Sequence, residues 1–149
     1  MNEIKVAENK TLKLTNVLSR EIRGDEMANM PLVVTQMYNF IKSSNAQPIG
    51  PLVQAITITP DHEFKMYLMQ QATQFIGQME QDYHMDAILR VKNCLYAHYT
   101  GPMPESQLAS YKLQVHAFEN EQKLTGTSYT IYVNQDEDDA VVDVFMETK

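Results

Sequence analysis

The chain of 149 residues has one cysteine, Cys94, no tryptophan, and 12 lysines and arginines against 19 acidic residues. A single thiol finds no disulfide partner within its own chain. A domain of about 150 residues buries roughly 68–70% of its unfolded surface, so neither a disulfide nor a metal is needed for stability. No signal peptide and no apolar run of about 20 residues is found. These absences predict one cytoplasmic domain over residues 1–149, without a membrane segment.

The basic residues are few and scattered, and the formal net charge is −7. Phosphate binding relies on clustered Lys and Arg that displace counterions, so this charge balance predicts no direct nucleic-acid binding. An acidic surface is compatible with a cationic small ligand or a basic partner, and equally with simple solubility. The ten methionines and eight tyrosines are typical of a pocket that adapts to varied ligands, although ordinary core packing accounts for most of the methionines.

Sequence motifs for nucleotides, hydrolases and metals are missing. The chain has no GxGxxG, P-loop or GxSxG, and its four histidines lack metal-ligand spacing. Asn134, Asp136 and Asp138 resemble the start of a calcium loop, but Asp139 stands where glycine is required and Phe145 where the closing glutamate should be. The sequence therefore predicts neither a metal nor a cofactor.

What the chain does have is a duplicated plan. Met-Pro pairs begin at Met30 and Met103, 73 residues apart, and each precedes a helix-like run with a tyrosine, Tyr38 or Tyr111. A strand-like hairpin follows each run, so the repeated unit is larger than a dipeptide, although two short matches also arise by coincidence. The interpretation is an α+β domain of two pseudo-symmetric strand–helix–hairpin repeats, about 1–70 and 82–149, forming antiparallel sheets around a central ligand groove.

The elements are predicted from periodicity and turn residues. The predicted strands are Ile4–Ala7, Thr11–Ile22, Leu52–Thr59, Glu63–Met69, Met85–Tyr99, Ser128–Val133 and Ala140–Met146. The first helix has an apolar stripe of Met30, Val34, Met37, Tyr38 and Ile41, and the second has Leu108, Tyr111, Val115 and Phe118. Thr125-Gly126 is predicted to stop the second helix, and residues 70–81 are predicted to be a connector with a short surface helix.

The last hairpin carries the strongest constellation. Alternation places Tyr129, Ile131 and Val133 on a packing face and Ser128, Thr130 and Tyr132 on a face free to bind. On the partner strand, Val141, Asp143 and Phe145 share a face. A carboxylate between apolar neighbours either binds a cation or is hydrogen-bonded by a structural partner, and for a single aspartate the second alternative is slightly favoured.

Several segments together resemble a known family. They are Tyr96 to Pro102, then Leu108, Tyr111 and Leu113, then Gly126 to Tyr132, and finally Val142 to Phe145. The chain is similar over roughly residues 85–146 to GyrI-like small-molecule-binding domains, the effector-binding modules of many AraC-type and MerR-type regulators. The resemblance implies two pseudo-symmetric halves with a groove that binds lipophilic, often cationic, compounds through aromatic residues and a buried acid.

The resemblance gives roles to particular residues, with one departure. Tyr67, Tyr96 and Tyr132 are expected to stack on the ligand, and Asp143 is expected to offset positive charge. Thr130 stands where the family commonly has glutamate, which weakens the cation-binding role and the hydrolase activity of some members. Thr130 would offer a hydroxyl instead. The full predicted ligand-binding set is Tyr38, Tyr67, Tyr96, Tyr111, Thr130, Tyr132, Asp143 and Phe145.

The leading hypothesis is a multidrug-type binding protein. It is expected to be stand-alone because no helix-turn-helix precedes the domain, and the family resemblance implies a link to transcription regulation. Its predicted partner is a small lipophilic or cationic molecule. One alternative is a hydrolase acting on a reactive small molecule in the same groove, which needs an acid or base positioned on the substrate. Another is a protein-interaction or inhibitor module in which the acidic tip at Asp136 to Asp139 binds a partner protein.

Overall fold

The computed structural model describes residues 4–80 and 82–149, and in those ranges it contains six strands and two α-helices. The strands are β1 (Val6–Ile22), β2 (Pro48–Ile58), β3 (Phe64–Ala72), β4 (Tyr83–Gly101), β5 (Leu124–Asn134) and β6 (Ala140–Thr148). The helices are α1 (Met30–Ser43) and α2 (Leu108–Glu119), preceded by short 3₁₀ turns at Gly24–Asn29 and Met103–Glu105. The fold is α+β, as the sequence predicts.

The sheet is a closed barrel in the order β1-β3-β2-β5-β6-β4, and every pair of neighbouring strands is antiparallel. The order strand, helix, strand, strand occurs once up to Ala72 and again from Tyr83. In the first segment β3 lies between β1 and β2, and in the second β6 lies between β4 and β5. The pairs β1–β4 and β2–β5 join the two segments, so both contribute strands to one barrel.

Strand β1 is one continuous strand where the sequence predicts two, because it bends at an asparagine without breaking. The sequence predicts an interruption between Ala7 and Thr11, yet β1 is continuous and shifts register there by bulges. Asn9 in β1 and Asn93 in β4 have positive φ angles of 56° and 59°. Asparagine tolerates the left-handed region better than most residues, and a bulge increases the local twist of a strand. These bends allow β1 and β4 to curve around the barrel.

Each helix covers an apolar cluster on the outer face of the sheet. Under α1, Met37 and Ile41 pack with Leu18 and Leu68. Under α2, Leu113 packs with Leu95, Val142 and Val144. A third cluster, which contains no helical residue, lies on the opposite side of the strands and is called the inner face below. It contains Leu12, Leu14, Val17, Val53, Ala55, Val91, Cys94 and Tyr129, with Tyr67, Met69, Leu89, Ile131 and Phe145 packed against it.

The predicted stripe of α1 is buried or half-buried throughout, but the prediction for α2 is wrong in two respects. The buried residues of α2 are Ala109, Leu113 and Ala117, whereas the predicted apolar stripe is exposed. The helix ends at Glu119, and Gly126 lies inside β5 rather than at a helix stop. Gly126 has a φ of +98°, and a Cβ there would lie 2.5 Å from the carbonyl oxygen of Ile58, so this glycine allows a close approach of two strands.

The predicted connector over residues 70–81 is also wrong in part. Gln70 and Gln71 belong to β3, and no helix is found among the described residues 73–80. The Gln70 side chain is 1% exposed, and its Nε2 donates hydrogen bonds to the carbonyl oxygens of Ile49 and Gly50. A polar side chain is tolerated in that position because it replaces lost water contacts with hydrogen bonds to backbone.

Within the described residues, neither helix has the length and apolar character needed to cross a bilayer.

Candidate functional site

A continuous row of side chains crosses the inner face and is called the aromatic band. Residues directly opposite each other in neighbouring strands place their side chains on the same face of the sheet. Starting from β4, Tyr96 is opposite Phe145, Phe145 is opposite Tyr129, and Tyr129 is opposite Ala55. Ala55 is in turn opposite Tyr67, and Tyr67 is opposite Glu21 of β1. The band thus contains Tyr96, Phe145, Tyr129, Ala55, Tyr67 and Glu21 on six different strands.

A cavity of about 360 Å³ opens at one end of the inner face and is called the central cavity. Its walls include Tyr67 and Tyr129 of the aromatic band, and Met69 from β3. Ala55 lies between the two tyrosines in the band, and its small side chain leaves the space between their rings unfilled. Strands from both segments of the chain contribute to the walls, so the cavity lies where the two segments meet.

Three carboxylates line the central cavity, and they differ in their partners. Asp82 accepts a hydrogen bond from the guanidinium of Arg23 at 3.3 Å, and Asp86 lies 3.0 Å from Nε2 of His84. The third, Glu21, has no ion-pair partner among the described residues. A carboxylate without a cation beside aromatic ring faces is a favourable environment for a positively charged ligand.

At the other end of the band, Asp143 accepts two hydrogen bonds on one oxygen. The Tyr96 hydroxyl donates to Asp143 Oδ1 at 2.7 Å, and Nδ1 of His98 lies 2.6 Å from the same atom. The Tyr96 ring packs against Phe145 with centroids 4.9 Å apart. Burial raises the pKa of the Tyr96 hydroxyl, and the hydrogen bond to Asp143 and the charge of that carboxylate raise it further. Asp143 is thus hydrogen-bonded within the fold, which is one of the two alternatives left open by the sequence.

Tyr129, at the centre of the band, is buried and neutral. Burial raises the pKa of its hydroxyl, and the nearby Glu147 and Cys94 add to the increase. A phenol held in its neutral form presents an uncharged ring face to the cavity. Tyr129 lies on the predicted packing face of β5 and is not among the predicted site residues.

The predicted site residues divide between the two faces of the sheet. Tyr67, Tyr96, Asp143 and Phe145 are brought together on the inner face. Thr130 and Tyr132 lie on the outer face, because they alternate with Tyr129 and Ile131 along β5. Tyr132 packs against the cluster under α2, and its hydroxyl donates to Gln54 Oε1 at 2.7 Å.

Tyr38 and Tyr111 lie on the two helices, away from the aromatic band. Tyr38 is half-buried on α1, and Tyr111 is exposed on α2. Tyr111 lines a second, larger hollow of about 980 Å³ beside α2, together with Tyr99, Leu108 and Val115. Glu105 and Glu119 also line this hollow, so tyrosines near carboxylates do not by themselves distinguish the two sites. The central cavity is the better candidate despite its smaller volume, because strands of both segments line it and two residues of the aromatic band, Tyr67 and Tyr129, form its walls.

No family profile and no curated protein sequence matches this chain. Solved structures do match. EcmrR in complex with DNA superposes with a TM-score of 0.72 at 13% identity over 98% of this chain. The isolated EcmrR C-terminal domain superposes with a TM-score of 0.62 at 11% identity, over 99% of this chain and 97% of that domain. This chain spans 57% of the length of EcmrR in the DNA complex.

Two further solved structures share the fold. SAV2435 bound to tetraphenylphosphonium has a TM-score of 0.54 at 10% identity, with 99% of this chain and 94% of that chain covered. A hydrolase encoded by lin2189 from Listeria innocua has a TM-score of 0.58 at 9% identity, with 99% and 92% covered. At these identities the likeness establishes a common fold only. Of the proteins that share it, SAV2435 is bound to a lipophilic cation and the protein from Listeria innocua is described as a hydrolase.

Proposed function

We propose that this chain is a GyrI-like domain whose two segments are pseudo-symmetric repeats, and that it binds lipophilic, cationic aromatic molecules in the central cavity. The repeated order of elements and the matching strand pairings of the two segments support the repeat. The shared fold with SAV2435, which is bound to tetraphenylphosphonium, supports the ligand class. The shared fold with EcmrR supports a link to transcription regulation, in which ligand binding to this domain would be the input signal.

The observation that carries this proposal is the combination of Tyr67, Tyr129 and Glu21 in one cavity between the segments. A cation over a well-placed aromatic ring gains about 0.5–2 kcal/mol per contact, most where water is excluded. Glu21 would neutralise the charge of the ligand without breaking an existing ion pair. The family glutamate is replaced by Thr130, and Glu21 on a different strand would supply the missing acid.

Titration calorimetry with tetraphenylphosphonium tests the proposal. We expect a dissociation constant in the micromolar range, typical of adaptable pockets. Glu21→Gln should weaken binding about tenfold, because a charge-assisted contact is lost while the shape is kept. Glu63→Gln, an exposed carboxylate outside the cavity, is the matched control and should bind like the wild type. Absence of binding by folded wild-type protein, or equal weakening in both variants, would contradict the assignment.

One observation supports a hydrolase as the second candidate. With Nδ1 of His98 held by Asp143, the exposed ring keeps Nε2 available to accept a proton, an arrangement that suits a general base. The hydrolase from Listeria innocua shares the fold. In this alternative, His98→Gln would abolish turnover of a reactive ester or epoxide while tetraphenylphosphonium binding persists. Turnover that survives His98→Gln would eliminate this role for the histidine.

A further inference from the structure

The pairing of β1 with β4 matches the two segments of the chain residue by residue. Arg20 of β1 is opposite Tyr83 of β4, and Val6 is opposite Ala97. Val6 and Tyr83 therefore occupy equivalent places, as do Arg20 and Ala97, and in both cases the residue numbers differ by 77. A constant difference is what two copies of one unit related by a twofold axis would show.

Burial follows the same match. Leu18 and Leu95, which also differ by 77, each lie under a helix, and Val17 and Cys94 each lie on the inner face. The buried residues of the two helices correspond at a difference of 76, and they are Val33 with Ala109, Met37 with Leu113, and Ile41 with Ala117. A feature of one segment can therefore be compared with the same place in the other.

Beside α1, the residues that lead into β4 cover the end of the helix. Ile76 is 5% exposed in the cluster under α1, and Met79 packs against the same cluster. At the start of β4, Tyr83 stacks on Phe40 of α1 with ring centroids 4.7 Å apart. The stretch of chain over residues 73–80 is thus packed against the end of α1 where β4 begins.

Beside α2, the equivalent place is open. Val6 corresponds to Tyr83 and His116 to Phe40, so a smaller side chain and a polar ring replace the stacked pair. Val6 and His116 both line the hollow of about 980 Å³ beside α2. In the part of the chain that the structure describes, nothing packs against α2 as residues 73–80 pack against α1.

The α2 side of this hollow is apolar where α1 is polar. Tyr111 and Val115 line the hollow, and the matching residues of α1 are Thr35 and Asn39. Val115 is 53% exposed although it lies in a hollow between the helix and the barrel. Apolar side chains along a concave wall are typical of a site that receives a further apolar group.

We propose that the hollow beside α2 binds a short apolar peptide segment of a partner protein, which takes the place that residues 73–80 take beside α1. This inference rests on the repeat that belongs to the proposed function. The first segment shows what covers this part of the fold, namely polypeptide with two bulky aliphatic side chains three positions apart, Ile76 and Met79. A partner segment with the same spacing would bury its two side chains against Leu108 and Val115 and remove them from water.

The length of the segment sets the expected strength of binding. Eight residues, the length of 73–80, cover less than a standard interface, which takes about 800 Å² on each partner. A free peptide also loses conformational freedom when it binds. We therefore expect a dissociation constant on the order of 100 µM for an isolated peptide.

Nuclear magnetic resonance titration of the ¹⁵N-labelled full chain tests the proposal, with a synthetic peptide of the sequence of residues 73–80 as the probe. The amide signals of Val6 and Val115 should shift with added peptide, because both residues line the hollow. A peptide that carries Ile76→Ser and Met79→Ser is the control for the probe and should bind at least fivefold more weakly. Equal binding of the two peptides would overturn the proposal.

Two glutamate variants of the protein locate the site. Val115→Glu should weaken peptide binding at least tenfold, because it places a charge in the apolar wall of the hollow. Val133→Glu is the matched control, because Val133 is 50% exposed on β5 and does not line the hollow, and it should bind the peptide like the wild type. Absence of shifts at about 5 mM peptide, shifts confined to other parts of the chain, or equal weakening by both variants would overturn the proposal.

Tetraphenylphosphonium separates this inference from the proposed ligand site. Neither Val115 nor Val133 lines the central cavity, so both glutamate variants should bind tetraphenylphosphonium like the wild type. A wild type that binds the peptide but not tetraphenylphosphonium would contradict the ligand site and support the peptide site. Loss of tetraphenylphosphonium binding in Val115→Glu alone would show that the hollow holds a small molecule, and it would overturn the peptide site.

Discussion

The Tyr96 hydroxyl donates a 2.7 Å hydrogen bond to Oδ1 of Asp143, the same oxygen that lies 2.6 Å from Nδ1 of His98. The carboxylate is 21% exposed, and both donors come from β4 while Asp143 is on the neighbouring β6. This arrangement fixes the tyrosine ring against Phe145 at one end of the aromatic band. It also means that a ligand cation would compete with existing partners for Asp143, but not for Glu21.

The first prediction concerns the titration of Tyr96. Asp143→Asn removes a negative charge that disfavours tyrosinate, so the pKa of Tyr96 should fall toward its ordinary value while remaining raised by burial. Ultraviolet titration of tyrosinate measures this change as a transition at lower pH. The same substitution in a Tyr96→Phe background is the control, and a shift that persists there would show that another tyrosine is responsible.

The second prediction concerns Gly126. Alanine at this position meets both an unfavourable positive φ and a Cβ contact of 2.5 Å with backbone of β2. Strain of this kind costs about 1–3 kcal/mol, so Gly126→Ala should lower the free energy of unfolding by at least that amount. Urea denaturation provides the measurement. Gly77→Ala is the matched control, because nothing lies within 4 Å of its added Cβ, and its stability should stay close to that of the wild type.

The third prediction concerns Glu26 and acid stability. A hydrogen bond from the backbone N–H of Arg23 lowers the pKa of Glu26; burial opposes this, and the charge of Arg20 lowers the pKa further. In the unfolded chain the pKa of a glutamate is about 4.3, and above that pH the lowered pKa of Glu26 in the folded chain stabilises the fold. This stability is lost as the pH falls through the pKa of Glu26 in the folded chain. Glu26→Gln should therefore be less stable than wild type at pH 7.

Urea midpoints measured as a function of pH provide the check. The curves of wild type and Glu26→Gln should separate near neutrality and converge in acid, as the pH falls through the lowered pKa of Glu26. Glu63→Gln, on an exposed turn, is the control for removing a carboxylate without such partners. A constant gap between wild type and Glu26→Gln down to the lowest pH would show that the glutamine disturbs packing rather than charge.

Sequence periodicity located most elements but did not determine which face of each one is buried. The stripe of α1 packs as predicted because large residues such as Met37 and Ile41 occupy it. In α2 the buried positions are mostly alanines, so the larger residues outside them dominate the pattern and mislead the interpretation. The helical period identifies the two opposite faces of a helix, but only the surrounding structure determines which face is buried.

The same limit explains the division of the candidate site. Alternation along β5 separates Tyr129 from Thr130 and Tyr132, but it does not say which set faces a helix. Closure of the barrel places α2 over the face with Tyr132, which leaves Tyr129 on the inner face. Glu21 could have been found from the alternation of Ser19 and Glu21 with the buried Leu18 and Ile22. Its approach to Tyr67 depends on the pairing of β1 with β3, which local sequence does not contain.

The fourth prediction tests which face binds the ligand. Tyr67→Ser removes a ring from the central cavity and should weaken tetraphenylphosphonium binding at least fivefold, a loss of about 1 kcal/mol or more.

The control for this prediction is Tyr132→Phe, which removes only the hydroxyl that donates to Gln54 on the outer face. It should lower the free energy of unfolding by about 1 kcal/mol, since a partly buried acceptor loses its donor, while the dissociation constant stays within about twofold of wild type. Calorimetric titration and urea denaturation of both variants separate the two effects. Weaker binding in Tyr132→Phe with unchanged affinity in Tyr67→Ser would instead place the ligand on the outer face, beneath α2.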